Sequence, residues 1–234
     1  MKDTIPWQYN EFTQVGKDYS KPEEVEDFEA RHSDFRDLEG DSNAVLDLLG
    51  VSENDILIDF GSGTGVFARQ AAQRCRQVHA VDVSQAMLDY ARNVAIRAGV
   101  TNIEYHHGGF LTFEYDGPPV DYITTTLAFH HLPDFWKGIA LKRMYTMLKP
   151  KGKLFIHDGV IEVDGAIDNI TALIDRLGEA GGEEMREDAE EHFRKEFSTY
   201  DWIIDGLLTR AGFEIESREI VDGVMASYYC LRPE

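Results

Sequence analysis

Two acids and three glycines carry the first chemical suggestion in this chain. The stretch 59–65 reads DFGSGTG, with Asp59 two residues ahead of Gly61, then Ser62, Gly63 and Gly65, and Asp82 stands twenty-one positions after Gly61. Glycines at this spacing let the backbone turn tightly and approach a ligand. A helix starting at Val66 would aim its free N–H groups into the same crevice. The usual dinucleotide fingerprint G-x-G-x-x-G would need glycine at 66, where this chain has Val66. Asp59 would also repel a pyrophosphate, whereas it can face a cationic ligand group. An acid in the position of Asp82, at the tip of the following strand, can accept both hydroxyls of a ribose. With no Lys or Arg in the loop, these residues suggest a ribose-bearing cofactor that is cationic or uncharged. Taken alone, the loop is equally consistent with a tight turn that holds no ligand.

A second cluster follows at 126–134, Thr126, Leu127, Ala128, Phe129, His130, His131, Leu132, Pro133 and Asp134. Positioning both clusters needs parallel strands whose C-terminal ends share one edge. Apolar runs at Ile56–Ile58, Val78–Val83, Asn102–His107, Val120–Thr126 and Lys153–His157 read as those strands. Helices alternate with them. Asp41 or Ser42 caps one through Leu49, another runs from Val66 to about Arg74, and Ser84 caps a third whose Met87, Leu88, Ala91, Val94, Ala95 and Ala98 form one face. Pro133 opens a fourth, reaching Leu148. The alternation predicts an α/β, Rossmann-like doubly wound sheet, mostly parallel. Two final strands joined at Val221-Asp222-Gly223 form a hairpin, making one strand antiparallel to the rest. His106 and His107, adjacent on a strand, point to opposite faces and make a poor metal pair.

The run DFGSGTG at 59–65, the acid Asp82, AFHHLPD at 128–134 and LKPKGKL at 148–154, in this order, resemble the class I S-adenosylmethionine-dependent methyltransferases. The resemblance covers about positions 45 to 158 and implies S-adenosylmethionine as cofactor. It implies that Val83 and Met87 border the adenine, that Phe110 covers it, and that Thr126 and Leu127 line the methionine portion. Many relatives carry an acid for the adenine amine where this chain has Gly109, so altered adenine recognition is expected. His131 resembles a histidine that pairs with an N-terminal tyrosine in phosphoethanolamine methyltransferases, and Tyr19 matches that tyrosine loosely. Arg31, His32 and Arg36 are candidates for the methionine carboxylate.

Residues 1–40 are expected to form a helical flap, Glu23–Leu38 carrying Val25, Phe28 and Phe35 at helical spacing. Residues 41–234 form the cofactor-binding domain, with a helical lid insertion at about 159–198 that breaks at Gly181 and Gly182. Ser198 or Thr199 caps the last helix. His157 and Asp158 either touch substrate or form a surface pair. The net charge of −20 argues against nucleic acid as substrate. No apolar run reaches the roughly 18 residues of a membrane span, and no signal-peptide segment opens the chain, so a cytoplasmic protein is expected. Cys75 and Cys230 fit reduced, buried thiols.

Methyl transfer from a sulfonium is an in-line displacement that mainly requires a nucleophile aligned within about 3 Å and exclusion of water. A base is needed only for a protonated acceptor, and His131, His130 and Tyr19 are the candidates. No pair of carboxylates with an Asn follows the fourth strand, so a metal-independent reaction on a small-molecule acceptor at O, N, S or C is expected. The alternative is a regulatory module that binds the cofactor or its demethylated product without catalysis. Oligomeric state is open.

Overall fold

The structure is a computed structural model and describes residues 5–13, 15–16, 19, 25 and 37–234. The flap residues Phe28, Arg31, His32, Phe35 and Arg36 therefore lie outside the described residues. Eight strands make one sheet: β1 (Ile56–Phe60), β2 (Gln77–Asp82), β3 (Ile103–His107), β4 (Val120–Thr126), β5 (Leu148–Ile161), β6 (Thr199–Tyr200), β7 (Glu214–Val221) and β8 (Met225–Leu231). Their spatial order is β3-β2-β1-β4-β5-β8-β7, with β6 pairing only the end of β5. β3 through β5 are mutually parallel, and β8 runs antiparallel to both β5 and β7. Chain order reverses between β1 and β4, the topological switch point at which open α/β sheets bind ligands.

Helices α1 (Leu38–Leu49), α2 (Val66–Ala72), α3 (Gln85–Arg97), α4 (Asp134–Met147), α5 (Ala166–Lys195) and α6 (Asp201–Ala211) flank the sheet. Alternation along β1 divides the core between its faces. Leu57 packs with Leu46 of α1 and Ala68 and Ala71 of α2, while Ile58 and Phe60 pack with Leu141 and Met144 of α4 and Leu208 of α6. Both faces are closed by helices, as continuous apolar strands require.

Three expected caps shift. Asp37 rather than Asp41 or Ser42 caps α1, accepting from Gly40 N at 2.9 Å. Pro133 sits one residue before α4. Tyr200, not Ser198 or Thr199, precedes α6, because those two side chains are bonded elsewhere, Ser198 to His192 and Thr199 to Asp134. β5 is also far longer than Lys153–His157, since β8 pairs it as far as Gly159 and β6 extends it through Ile161. The C-terminal hairpin turns through Asp222 (φ 54°) and Gly223 (φ 67°), the left-handed pair of a primed turn that matches strand twist. α5 kinks at Gly182 and buries none of its residues.

Candidate functional site

At the tips of β1 and β2, the glycine loop does what its spacing requires. Gly61, Gly63 and Gly65 all adopt positive φ, and a Cβ on Gly61 would lie 2.2 Å from the Cβ of Ala128. The backbone thus passes against the loop after β4, an approach that only glycine permits. Asp82 fastens the loop from the next strand: its Oδ2 accepts from Gly63 N and its Oδ1 from Ser84 N, each at 2.8 Å. Ser84 caps α3, accepting from Met87 N at 3.2 Å, and donates through Oγ to the carbonyl of Tyr19 at 2.6 Å. Tyr19 is therefore held by its backbone beside β2.

Asp59 is buried and accepts from Thr124 Oγ1 at 2.8 Å. Burial pushes its carboxyl up to about 7; the Thr124 bond opposes this, and Asp82 adds to it. Burial raises Asp82 too, against the N–H groups of Ser84 and Gly63. Two neighbouring buried acids, each disfavoured as an anion, would be favoured as anions by a positive charge placed beside them.

Gly109 resolves a departure noted in the sequence. A Cβ there would lie 2.5 Å from Oε2 of Glu11, which occupies the corner instead. Glu11 Oε1 accepts from Thr112 N (2.8 Å), Thr112 Oγ1 (2.7 Å) and Leu111 N (3.0 Å), so an N-terminal residue secures the loop after β3. Phe110 stacks on Phe60 at 5.2 Å, below that loop. Val83 and Met87 lie at the turn into α3, Val83 lending its carbonyl to His107 Nε2 at 2.9 Å.

The second half of the site stands at the tips of β4 and β5. Thr126 ends β4 and Leu127 takes φ 51°, a left-handed conformation costly for a branched side chain and tied to β5 by Leu127 N donating to His157 O at 2.8 Å. Residues 129–131 form one 3₁₀ turn. Beneath it is Asp158, whose Oδ2 accepts from Phe129 N (2.7 Å) and Ala128 N (3.1 Å) and whose Oδ1 meets His130 Nδ1 at 2.6 Å. His130 Nε2 faces Glu196 Oε2 at 3.1 Å, and Glu196 also takes His192 Nδ1 at 2.5 Å. Burial works against charge on His130, yet Asp158 and Glu196 outweigh it and hold the imidazolium to about 10. Both carboxyls lie well below the usual range, despite burial, because they face that cation. His131 has the opposite fate: burial, then the adjacent charge of His130, brings it down to about 4.

The segment after α5 is stapled to this turn. Phe197 N donates to His130 O at 2.8 Å, and the buried Lys137 ammonium bonds the Phe197 carbonyl and, at 3.0 Å, Asp134 Oδ1. Tyr9 brings a hydroxyl to the carbonyl of His131, at 3.4 Å. Of the β5-tip pair, Asp158 is buried at the centre of the network, while His157 bonds Ser227 Oγ at 2.9 Å. Glu196, His192, Lys137 and Glu11 were not singled out from the sequence. Nothing in an acidic run distinguishes the one glutamate that folds inward.

A parallel sheet reversed at β1/β4, a glycine loop pinned by an acid from β2, and two buried carboxyls define a nucleoside-cofactor enzyme of the doubly wound class. The buried hydroxyl of Ser62 in the loop has no partner among the described residues, so hydrogen-bonding capacity remains there for a ribosyl ligand. Comparison with known proteins agrees. Residues 57–152 match the family described as "Methyltransferase domain". A methyltransferase of Staphylococcus carnosus is 30% identical over 152 residues, 65% of this chain and 70% of the relative. One of Bacillus pumilus is 30% identical over 168 residues, covering 72% and 73% respectively. Among solved structures, a SAM-dependent methyltransferase from Aquifex aeolicus superposes with a TM-score of 0.64 at 22% identity, over 91% of this chain and 98% of that one. The chain belongs to the class I S-adenosylmethionine-dependent methyltransferases, with S-adenosylmethionine as its cofactor. No helix among the described residues is long and apolar enough to cross a membrane.

Proposed function

We propose that the enzyme methylates the hydroxyl or amine of a small molecule, without a metal, at the cleft between the glycine loop and the His130–His131 turn. The observation that carries this reading is the split between two adjacent histidines, one locked as a cation between Asp158 and Glu196, the other neutral. S-adenosylmethionine supplies a methyl group on a sulfonium that is already a good leaving group. Asp82 and Ser62 hold the ribose and the adjacent backbone of that cofactor, and Asp59 faces its cationic amino-acid end. Val83, Met87 and Phe110 flank the adenine, Gly61, Gly63 and Gly65 give close backbone approach, and Thr126 and Leu127 line the methionine arm. Glu11 Oε2 supplies, beside Gly109, the carboxylate for the adenine amine.

His131, neutral at working pH, accepts a hydrogen bond from the acceptor's O–H or N–H and so directs a lone pair along the displacement line. A weak base suffices, because the acceptor proton becomes strongly acidic only as the new bond to carbon forms. His130 cannot act as the base, since both its ring nitrogens carry protons donated to carboxylates. It orients the turn, and the net negative charge of Asp158, Glu196 and His130 together favours the positive charge that moves onto the acceptor. The acidic α5 supports a lid exposed to solvent, its charges paired as Arg186–Asp175, Arg194–Glu190 and Lys195–Glu191. The net charge supports a substrate other than nucleic acid, and the two buried, unpaired thiols support a cytoplasmic setting.

The test is incubation with methyl-labelled cofactor and a panel of small amines and alcohols, followed by separation by mass. Label in the low-mass fraction is expected, and His131→Ala should lower kcat about a hundredfold while cofactor affinity holds. Label found only in protein or RNA, or in nothing, would defeat the reading.

A further inference from the structure

We propose that His79, Glu104 and His106 form a binding site for a divalent metal ion of the zinc type, on the β2–β3 edge of the sheet and separate from the methyl-transfer site. The three residues come together because β2 and β3 are parallel with His79 opposite Glu104, which sets Glu104 and His106, two apart on β3, on the same face as His79. His79 Nδ1 lies 3.0 Å from His106 Nε2, and Glu104 Oε2 lies 3.5 Å from the first and 3.8 Å from the second. The point equidistant from these three atoms is about 2.0 Å from each, the length of zinc–nitrogen and zinc–oxygen bonds.

Two imidazoles and one carboxylate are a zinc-type donor set that leaves further positions for solvent or another ligand. The site opens into a cavity of about 510 Å³, also lined by Glu114 and Asp116 against one guanidinium, Arg76, so the local charge favours a cation. The rings are fixed from outside: Tyr115 meets His79 edge-on at 5.2 Å, Phe113 meets His106 at 4.9 Å, and Tyr115 is anchored by its hydroxyl to the Pro118 carbonyl at 2.9 Å. Burial lowers the pKa of both histidines, favouring the neutral rings that ligate. Without an ion, one ring N–H must donate to the other ring; on binding, that ring takes its other tautomer, the proton passing through solvent to its second nitrogen, and both lone pairs turn to the metal. His79 lies three residues before Asp82, about 10 Å along the strand. A bound ion would therefore tie together two strands and the 113–118 loop without touching the reacting groups.

The cluster of His130, His192 and Glu196 is the competing cation site among the described residues. Its central ring is a doubly protonated imidazolium with no lone pair to give, so the two sites can be told apart. The probe is Co²⁺ titrated into the purified full chain, read by visible absorption, with Zn²⁺ displacement as a second reading. One equivalent bound with a ligand-field band is expected. Glu104→Gln, at an exposed side chain, should weaken it about tenfold or more, His106→Gln should abolish it, and His192→Ala should leave it unchanged. Circular dichroism checks each fold, and if His106→Gln is unfolded the Glu104→Gln titration decides. No band in the wild type, a band indifferent to Glu104→Gln, or a band lost only with His192→Ala would overturn the proposal.

Discussion

The two halves of the methyl-transfer site are built in opposite ways. At the tips of β1 and β2, the glycine loop, Asp59, Asp82, Ser84 and Met87 all come from one stretch of chain, and Asp82 binds Gly63 and Ser84 directly. At the tips of β4 and β5, the network joins His130 to Asp158 and Glu196, and the His131 turn to Tyr9, across separations of tens of residues to more than a hundred. A local motif makes the same loop wherever it folds. A network assembled from distant segments can be rebuilt around a new acceptor while the cofactor half stays as it is.

The difference can be broken most forcefully at Asp158. Asp158→Ala leaves His130 as a buried cation with one partner and strips the backbone N–H groups of Ala128, Phe129, His130 and Gly159 of theirs, and should destabilise the fold by about 3–5 kcal/mol in chemical denaturation. The glycine loop should be sharply position-dependent instead. Gly61→Ala forces its Cβ into Ala128 and should cost about 2–4 kcal/mol with loss of cofactor binding in calorimetry, whereas Gly63→Ala, which meets nothing within 4 Å, should cost only the left-handed strain of about 1–2 kcal/mol.

Glu11 is a long-range component of the cofactor half. Glu11→Ala should weaken cofactor binding about tenfold, the scale of a lost charge-assisted hydrogen bond, and the double variant Glu11→Ala with Gly109→Asp should recover most of it, because the acid then rises from the loop itself. Failure of the second acid to rescue would show that Glu11 only shapes the loop.

Protons offer the finest comparison. Asp59 ionises near 7, so cofactor affinity should rise between about pH 6 and 8 as the free enzyme loses that proton, and Asp59→Asn should flatten the rise in calorimetry at the two pH values. A raised carboxyl stabilises the fold below its ordinary value of 3.8 and loses that contribution as pH climbs through 7. His130 acts in the same direction in a higher window. Its contribution is complete below 6.5 and fades as pH rises through about 10, so thermal stability should decline over that range, and His130→Gln should remove this part of the slope.

The alternation of apolar runs with capped helices made the doubly wound sheet legible, because burial on both faces leaves a parallel strand little choice but Val, Ile, Leu and Phe. Cap positions were less legible, since Asp37, Asp41 and Ser42 all suit a helix start, and Ser198 and Thr199 found partners in α5 and α4 rather than in their own helix. Gly109 read as a missing acid, and only the fold showed that the carboxylate of Glu11, ninety-eight positions upstream, lies beside it. The opposite faces of His106 and His107 were correctly read from strand periodicity, but the partner of His106 is on β2, and register across strands is set by tertiary packing.

By itself, the sequence determined the geometry of the glycine loop: glycine spacing and the acid at the tip of β2 act over a short range, where covalent connection fixes which groups meet. Tertiary structure alone decided the charges on the two histidines. Their side chains are chemically identical and adjacent in the chain, yet one is bonded by two carboxylates and the other is buried beside that cation, and proton affinity follows the surroundings a group is folded into.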